Sequence, residues 1–230
     1  MNSSQGVWVI VFPFVALAAF FLVFLLNAKT FSGKFHHPYD PRSYFPFELL
    51  EGNDQLLWPN RLLVGIVFLC DVFFASYLLI NIQYHNWLLY LAVFYLVIVI
   101  FRDVALTTLF FLPVGYFKGH FVVFALSICL AAVSGVASIS VFINYLDFAR
   151  TVSIVFIILT AIMVSFILLI GVNPRLSNWA KMDSAMNEDG SVTNSRPKRF
   201  VLAYSEWLVI GLSSFLSLVS FLGFYLADLA

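Results

Sequence analysis

Six stretches of this 230-residue chain stay apolar for about twenty residues or more, and more polar segments of very different length divide them. They cover 7–26, 62–82, 87–112, 121–145, 151–172 and 201–226. A helix needs about 20 apolar residues to cross a hydrocarbon core roughly 30 Å thick. Each stretch therefore predicts one transmembrane helix, and the expected fold is a single all-α domain, a bundle of six transmembrane helices. The third stretch is interrupted by Arg102-Asp103. Splitting it there would leave two very short spans and put the loops before and after on inconsistent sides. One long helix ending near Pro113 and Gly115 fits better.

The polar segments are of two kinds. Loop 27–60 is rich in aromatic residues and proline, with Pro38, Pro41 and Pro46 favouring extended and turn backbone. Within it Pro46-Phe47-Glu48-Leu49-Leu50-Glu51-Gly52 predicts a turn or two of helix, with proline at the start and glycine after the end. Tyr44, Phe45, Phe47 and Trp58 suit a membrane interface. Loop 173–200 is different: its segment 182–197 is rich in Ser, Asn, Asp and Gly and is expected to be mobile.

Charge gives these helices an orientation. Eleven of the twelve Lys and Arg residues belong to alternate loops, counting Arg102 on the inner part of its helix with the third. Lys29, Lys34, Arg42 and Arg61 belong to the first, Arg102 and Lys118 to the third, and Arg175, Lys181, Arg196, Lys198 and Arg199 to the fifth, leaving Arg150 alone opposite. Cationic loops resist translocation, so loops 27–60 and 173–200 are expected in the cytoplasm and both termini outside. The first apolar stretch has no basic residue before it and reads as a span, not a cleaved leader. The sequon Asn2-Ser3-Ser4 lies too close to the membrane for use as a glycosylation site.

Composition agrees with a membrane protein. The chain is 62% hydrophobic and 10% charged, with 27 Phe and a mean hydropathy of +0.98. A water-soluble domain of this length needs more polar surface. The net charge is zero, which leaves no field to attract nucleic acid. Cys70 and Cys129 both sit in apolar stretches and read neither as a disulfide nor as zinc ligands.

Asp71 is the most informative side chain. It follows Arg61 by ten residues, about 15 Å along a helix that rises about 1.5 Å per residue. That depth is near the bilayer centre, where an Asp costs about 2.5–3.5 kcal/mol and needs a partner, a proton or water. A tight turn around Tyr84-His85-Asn86 makes the second and third spans antiparallel neighbours. Arg102 and Asp103 reach a similar depth, so an Asp71–Arg102 pair is expected, with Thr107 beside it. The cluster is either a path for protons, ions or solute, or an ion pair locking two helices.

Two further features stand out. Ala131 with Gly135 and Ser134 with Ser138 are small pairs at four-residue spacing, a helix-packing face that lets backbones approach closely. Ser213, Ser214, Ser217 and Ser220 can hydrogen-bond to a neighbouring helix. His36, His37, Tyr39, Asp40 and Arg42 form a polar patch in the first loop, on the same expected side as His120. The histidines lack metal-ligand spacing, and GxSxG, Walker A, HExxH and CxxC motifs are missing. No catalytic, metal or cofactor-binding residue is assigned.

These features lead to a multi-pass integral membrane protein. The first expectation is a non-enzymatic subunit that assembles with other membrane proteins, or with itself, through its helices and loop 27–60. The alternative is a small transporter or channel using Asp71, Arg102 and Asp103. A second alternative is a membrane-interface enzyme using loop 27–60 and His120.

Overall fold

The computed structural model describes residues 3–51, 57–81, 86–113, 115–144, 146–147, 149–178, 183–186, 192–195 and 197–229. Six long helices dominate it: α1 (Ser3–Phe35), α3 (Leu57–Asn81), α4 (Asn86–Leu109), α5 (Phe117–Asn144), α6 (Arg150–Gly171) and α7 (Val201–Leu229). A short helix, α2 (Pro46–Glu51), interrupts the first loop, and a 3-10 turn (Pro174–Asn178) follows α6. Five stretches are long and apolar enough to cross a membrane: Phe14–Lys34, Trp87–Leu109, Lys118–Asn144, Arg150–Leu176 and Val201–Leu226. In α3 the described apolar run is shorter, Val64–Phe73.

Sequential long helices pack side by side, and α7 closes the ring against α1 while also touching α5. The outer surface of the bundle is apolar, and its largely apolar interior also holds polar side chains. Ile158, Phe166 and Leu169 face outward from α6, whereas Asn27, Arg102, Asp103, His120, Glu206 and several serines are buried. Apolar side chains outside and polar groups turned inward are what a lipid environment selects. The chain is thus an all-helical protein of the integral-membrane type.

Arg102-Asp103 does not break its helix. The two residues sit within α4, which ends at Leu109, three residues earlier than the expected 112. The first loop is shorter than 27–60, because α1 runs on to Phe35 and α3 begins at Leu57. Asn27 and Asn60, placed at the edges of the expected loop, both lie on helices. The Asn27 amide donates to Asn60 Oδ1 at 2.7 Å and the Asn60 amide donates back at 2.6 Å, both side chains being buried. That reciprocal pair ties α1 to α3. His36, with φ of 57°, then takes the left-handed conformation that ends α1.

The first loop is docked on the bundle. Phe45 precedes α2, whose first residue is Pro46, and Glu48 Oε2 accepts the Phe45 N–H at 2.7 Å, one half of a capping box. Phe45 is therefore not an interfacial ring. It is fully buried, 4.6 Å from the His120 ring and 5.2 Å from Phe200. Tyr39 O–H donates to Phe45 O at 2.8 Å, and Trp207 Nε1 donates to Tyr39 Oη at 3.1 Å. The Phe200 N–H donates to Arg42 O at 2.8 Å, joining the first loop to the entry of α7. The first loop, the start of α5 and the start of α7 thus lie at one end of the bundle.

The fifth loop contains an antiparallel hairpin, β1 (Asp183–Met186) against β2 (Val192–Ser195), with Asp183 opposite Ser195. Its polar composition did not predict strands. Two strands alone are marginal in water, so the hairpin adds little to a loop of this composition. Arg196, Lys181 and residues 82–85, where a tight turn is expected, lie outside the described residues.

Candidate buried polar site

Arg102 is the centre of the site and is 1% exposed. From α4 its Nη2 donates to Asp71 Oδ2 on α3 at 2.7 Å and to Ser217 Oγ on α7 at 2.8 Å. Ser217 O–H donates in turn to the same Asp71 oxygen at 2.9 Å, closing a triangle across three helices. Arg102 Nε donates to Asp103 Oδ1 at 2.8 Å. Arginine keeps its charge under all ordinary conditions. Two carboxylates thus share one guanidinium, and with both ionised the cluster carries one excess negative charge. In low dielectric that excess must be met by a proton, a cation or water.

The second oxygen of Asp103 has no hydrogen-bond partner among the described residues, and neither has buried Ser213 Oγ. Both residues line one cavity of about 50 Å³, together with Thr107, Asp71, Arg102 and Phe110. A water needs roughly 10–15 Å³ on this measure, so the space admits a few waters or a small ion. A second cavity of about 30 Å³ is lined by Asp71, Ser214, Ser217 and Phe221. Asp71, Phe20, Val67 and Ser214 line both. The Asp71 carboxylate therefore borders two small spaces, the first walled by α1, α3, α4 and α7 and the second by α1, α3 and α7.

The face Ala131, Ser134, Gly135 and Ser138 is used inside the chain. A methyl added to Gly135 would collide with Val164 Cγ2 of α6 and meet Leu216 of α7. Ser138 Oγ lies 3.0 Å from Ser220 Oγ. These small residues let α5 approach α6 and α7 closely and offer no free surface.

The loop residues do not converge on a site. His36 and His37 are exposed, Tyr39 is buried among Phe24, Phe31 and Trp207, and Asp40 Oδ1 accepts the Arg42 N–H at 2.9 Å. Among the described residues no group of three or more His, Cys, Asp or Glu stands where it could hold a metal. His120 is elsewhere, fully buried, with Nδ1 2.9 Å from Glu206 Oε1. An imidazole enclosed in this way presents no face to a substrate at the interface.

Sequence reasoning passed over Glu206, and it gave Ser217 only as one of four serines able to bond a neighbouring helix, without its partners Arg102 and Asp71. Glu206 is a carboxylate five residues into an apolar stretch, the same signal that marks Asp71. Glu206, Ser213, Ser217 and Ser220 recur at helical spacing and form one buried polar stripe along α7. Comparison of the chain with protein-family models, with curated proteins and with solved structures found no match.

Proposed function

We propose that this chain is a membrane protein of six spanning helices, with both termini outside, in which Asp71, Arg102 and Asp103 take up and pass a proton or small cation. The observation that carries this reading is two carboxylates sharing one guanidinium, one of them with an unpartnered oxygen at the wall of a water-sized cavity. A purely structural lock needs only one acid per base. Purified protein in liposomes should dissipate an imposed proton, Na⁺ or K⁺ gradient. Asp103→Asn should stop the flux while the protein melts close to wild type, because Arg102 keeps Asp71. No flux in wild type under any of the three gradients would sink the proposal.

A second reading follows from the closed Arg102–Asp71–Ser217 triangle: a non-enzymatic subunit, locked by that triangle, which assembles with other membrane proteins or with itself. A stable hetero-complex by native mass in mild detergent, combined with no flux, would favour it. The orientation is tested separately. Cysteines placed at Ser3 and Gln83 should react with an impermeant reagent from outside, and one at Ser43 should not. Outside labelling at Ser43 would reverse the topology.

A further inference from the structure

Three arginines meet in one cavity at the loop-bearing end of the bundle. Arg42 comes from the first loop, Arg175 from the turn after α6 and Arg199 from the entry to α7. With Asn173, Val201 and Tyr204 they line a cavity of about 280 Å³ to whose wall no carboxylate among the described residues contributes. Among the described residues none of the three is ion-paired. Asp40 is close in sequence, but its carboxylate takes the Arg42 backbone N–H. Backbone contacts hold the arrangement: Phe200 N–H on Arg42 O, Ser43 O–H on Lys198 O, and Arg175 N–H on Asn173 Oδ1. Orientation by positive charge requires cations on these loops, but it does not require that three of them share a cavity.

The surroundings indicate where an anion would come from. Val172, beside Asn173, is 73% exposed, and Leu169, one turn earlier on α6, is 61% exposed. Tyr204 lies half exposed at the rim. A ligand in the cavity would thus sit next to outward-facing apolar surface and an aromatic residue of the kind favoured at headgroup level. Guanidinium forks match phosphate oxygens bidentately.

We infer that Arg42, Arg175 and Arg199 bind the phosphate headgroup of an anionic phospholipid, with its acyl chains lying along the end of α6. Delipidated full-length protein in mild detergent is titrated with phosphatidylglycerol or with phosphatidylcholine of the same chains, and retained lipid is counted by native mass spectrometry. Wild type should prefer phosphatidylglycerol. Each of Arg42→Gln, Arg175→Gln and Arg199→Gln should weaken its retention about tenfold, and the triple variant should lose the preference. The arginines are exposed, so melting should be unchanged. Arg175→Lys, which keeps charge but not the fork, should be intermediate and covers the case of a misfolded Gln variant. Lys118→Gln, at the same end but outside the cavity wall, should retain lipid as wild type does. An equal loss in Lys118→Gln would mean a diffuse cationic surface and overturn the site. Displacement of the lipid by inorganic phosphate at matched concentration would make free phosphate the ligand and overturn the lipid assignment. Failure of phosphate to compete supports it.

Discussion

Arg102→Gln should be far more damaging than loss of either carboxylate beside it. Without the guanidinium, Asp71 and Asp103 are left facing each other's site with no counter-charge, and Ser217 alone remains to satisfy Asp71. Stranding buried charge in this way costs about 3–5 kcal/mol. Asp71→Asn is different, because Arg102 keeps Asp103 at 2.8 Å and the asparagine carbonyl can still accept from Nη2. Its cost should be about 1–3 kcal/mol, that of a weakened charge-assisted bond. A simple two-residue pair would predict recovery in the Asp71→Asn, Arg102→Gln double variant. Three charges predict otherwise: Asp103 stays unpaired in the double variant, and stability returns only when Asp103→Asn is added. Thermal melting in detergent of this series decides the matter. Equal damage from Asp71→Asn and Arg102→Gln would show that the two carboxylates do not share the guanidinium.

The second large effect is expected at the other end of α7. His120 and Glu206 are both fully buried, and their pair is net neutral whether the proton rests on the ring or on the carboxyl. Glu206→Leu removes the partner, but the imidazole can shed its proton, unlike Arg102. The loss should therefore be about 1–3 kcal/mol, the cost of a buried polar group without a partner. Glu206→Gln retains an acceptor and should stay within about 1 kcal/mol of wild type. The His120→Leu, Glu206→Leu double variant should recover much of the loss, since no polar group is stranded. Phe45 packs on the His120 ring, so Glu206→Leu should also speed hydrogen exchange in α2. If exchange in α2 stays slow while the bundle is destabilised, the pair does not hold the first loop in place.

Spacing and chemistry made part of the site legible in advance. An Asp near the centre of one apolar stretch and Arg-Asp in the next could be matched by helical rise alone, and antiparallel neighbours bring them together. Ser217 and Glu206 were not matched to their partners, because nothing local says which face of α7 meets α3 or α5. The pairing of Asn27 with Asn60 was hidden for the same reason: the two residues are 33 positions apart and join only when α1 lies against α3. His120 looked like a loop histidine, since a residue at a helix end is exposed unless another segment covers it. Phe45 is that cover.

The sequence by itself determined where the chain is helical, because unbroken apolar runs of span length leave the backbone no other way to satisfy its hydrogen bonds in lipid. It determined the short helix α2 as well, through proline at the first position and glycine after the end. It also put Asp71 and Arg102 at matching depth. Only the tertiary structure decided that two carboxylates share Arg102, that Gly135 packs within the chain, and that three loop arginines line one cavity. Those outcomes depend on how each helix is rotated about its own axis. In a chain that is apolar on nearly all sides of its helices, rotation leaves little amphipathic trace, and contacts between helices set it instead.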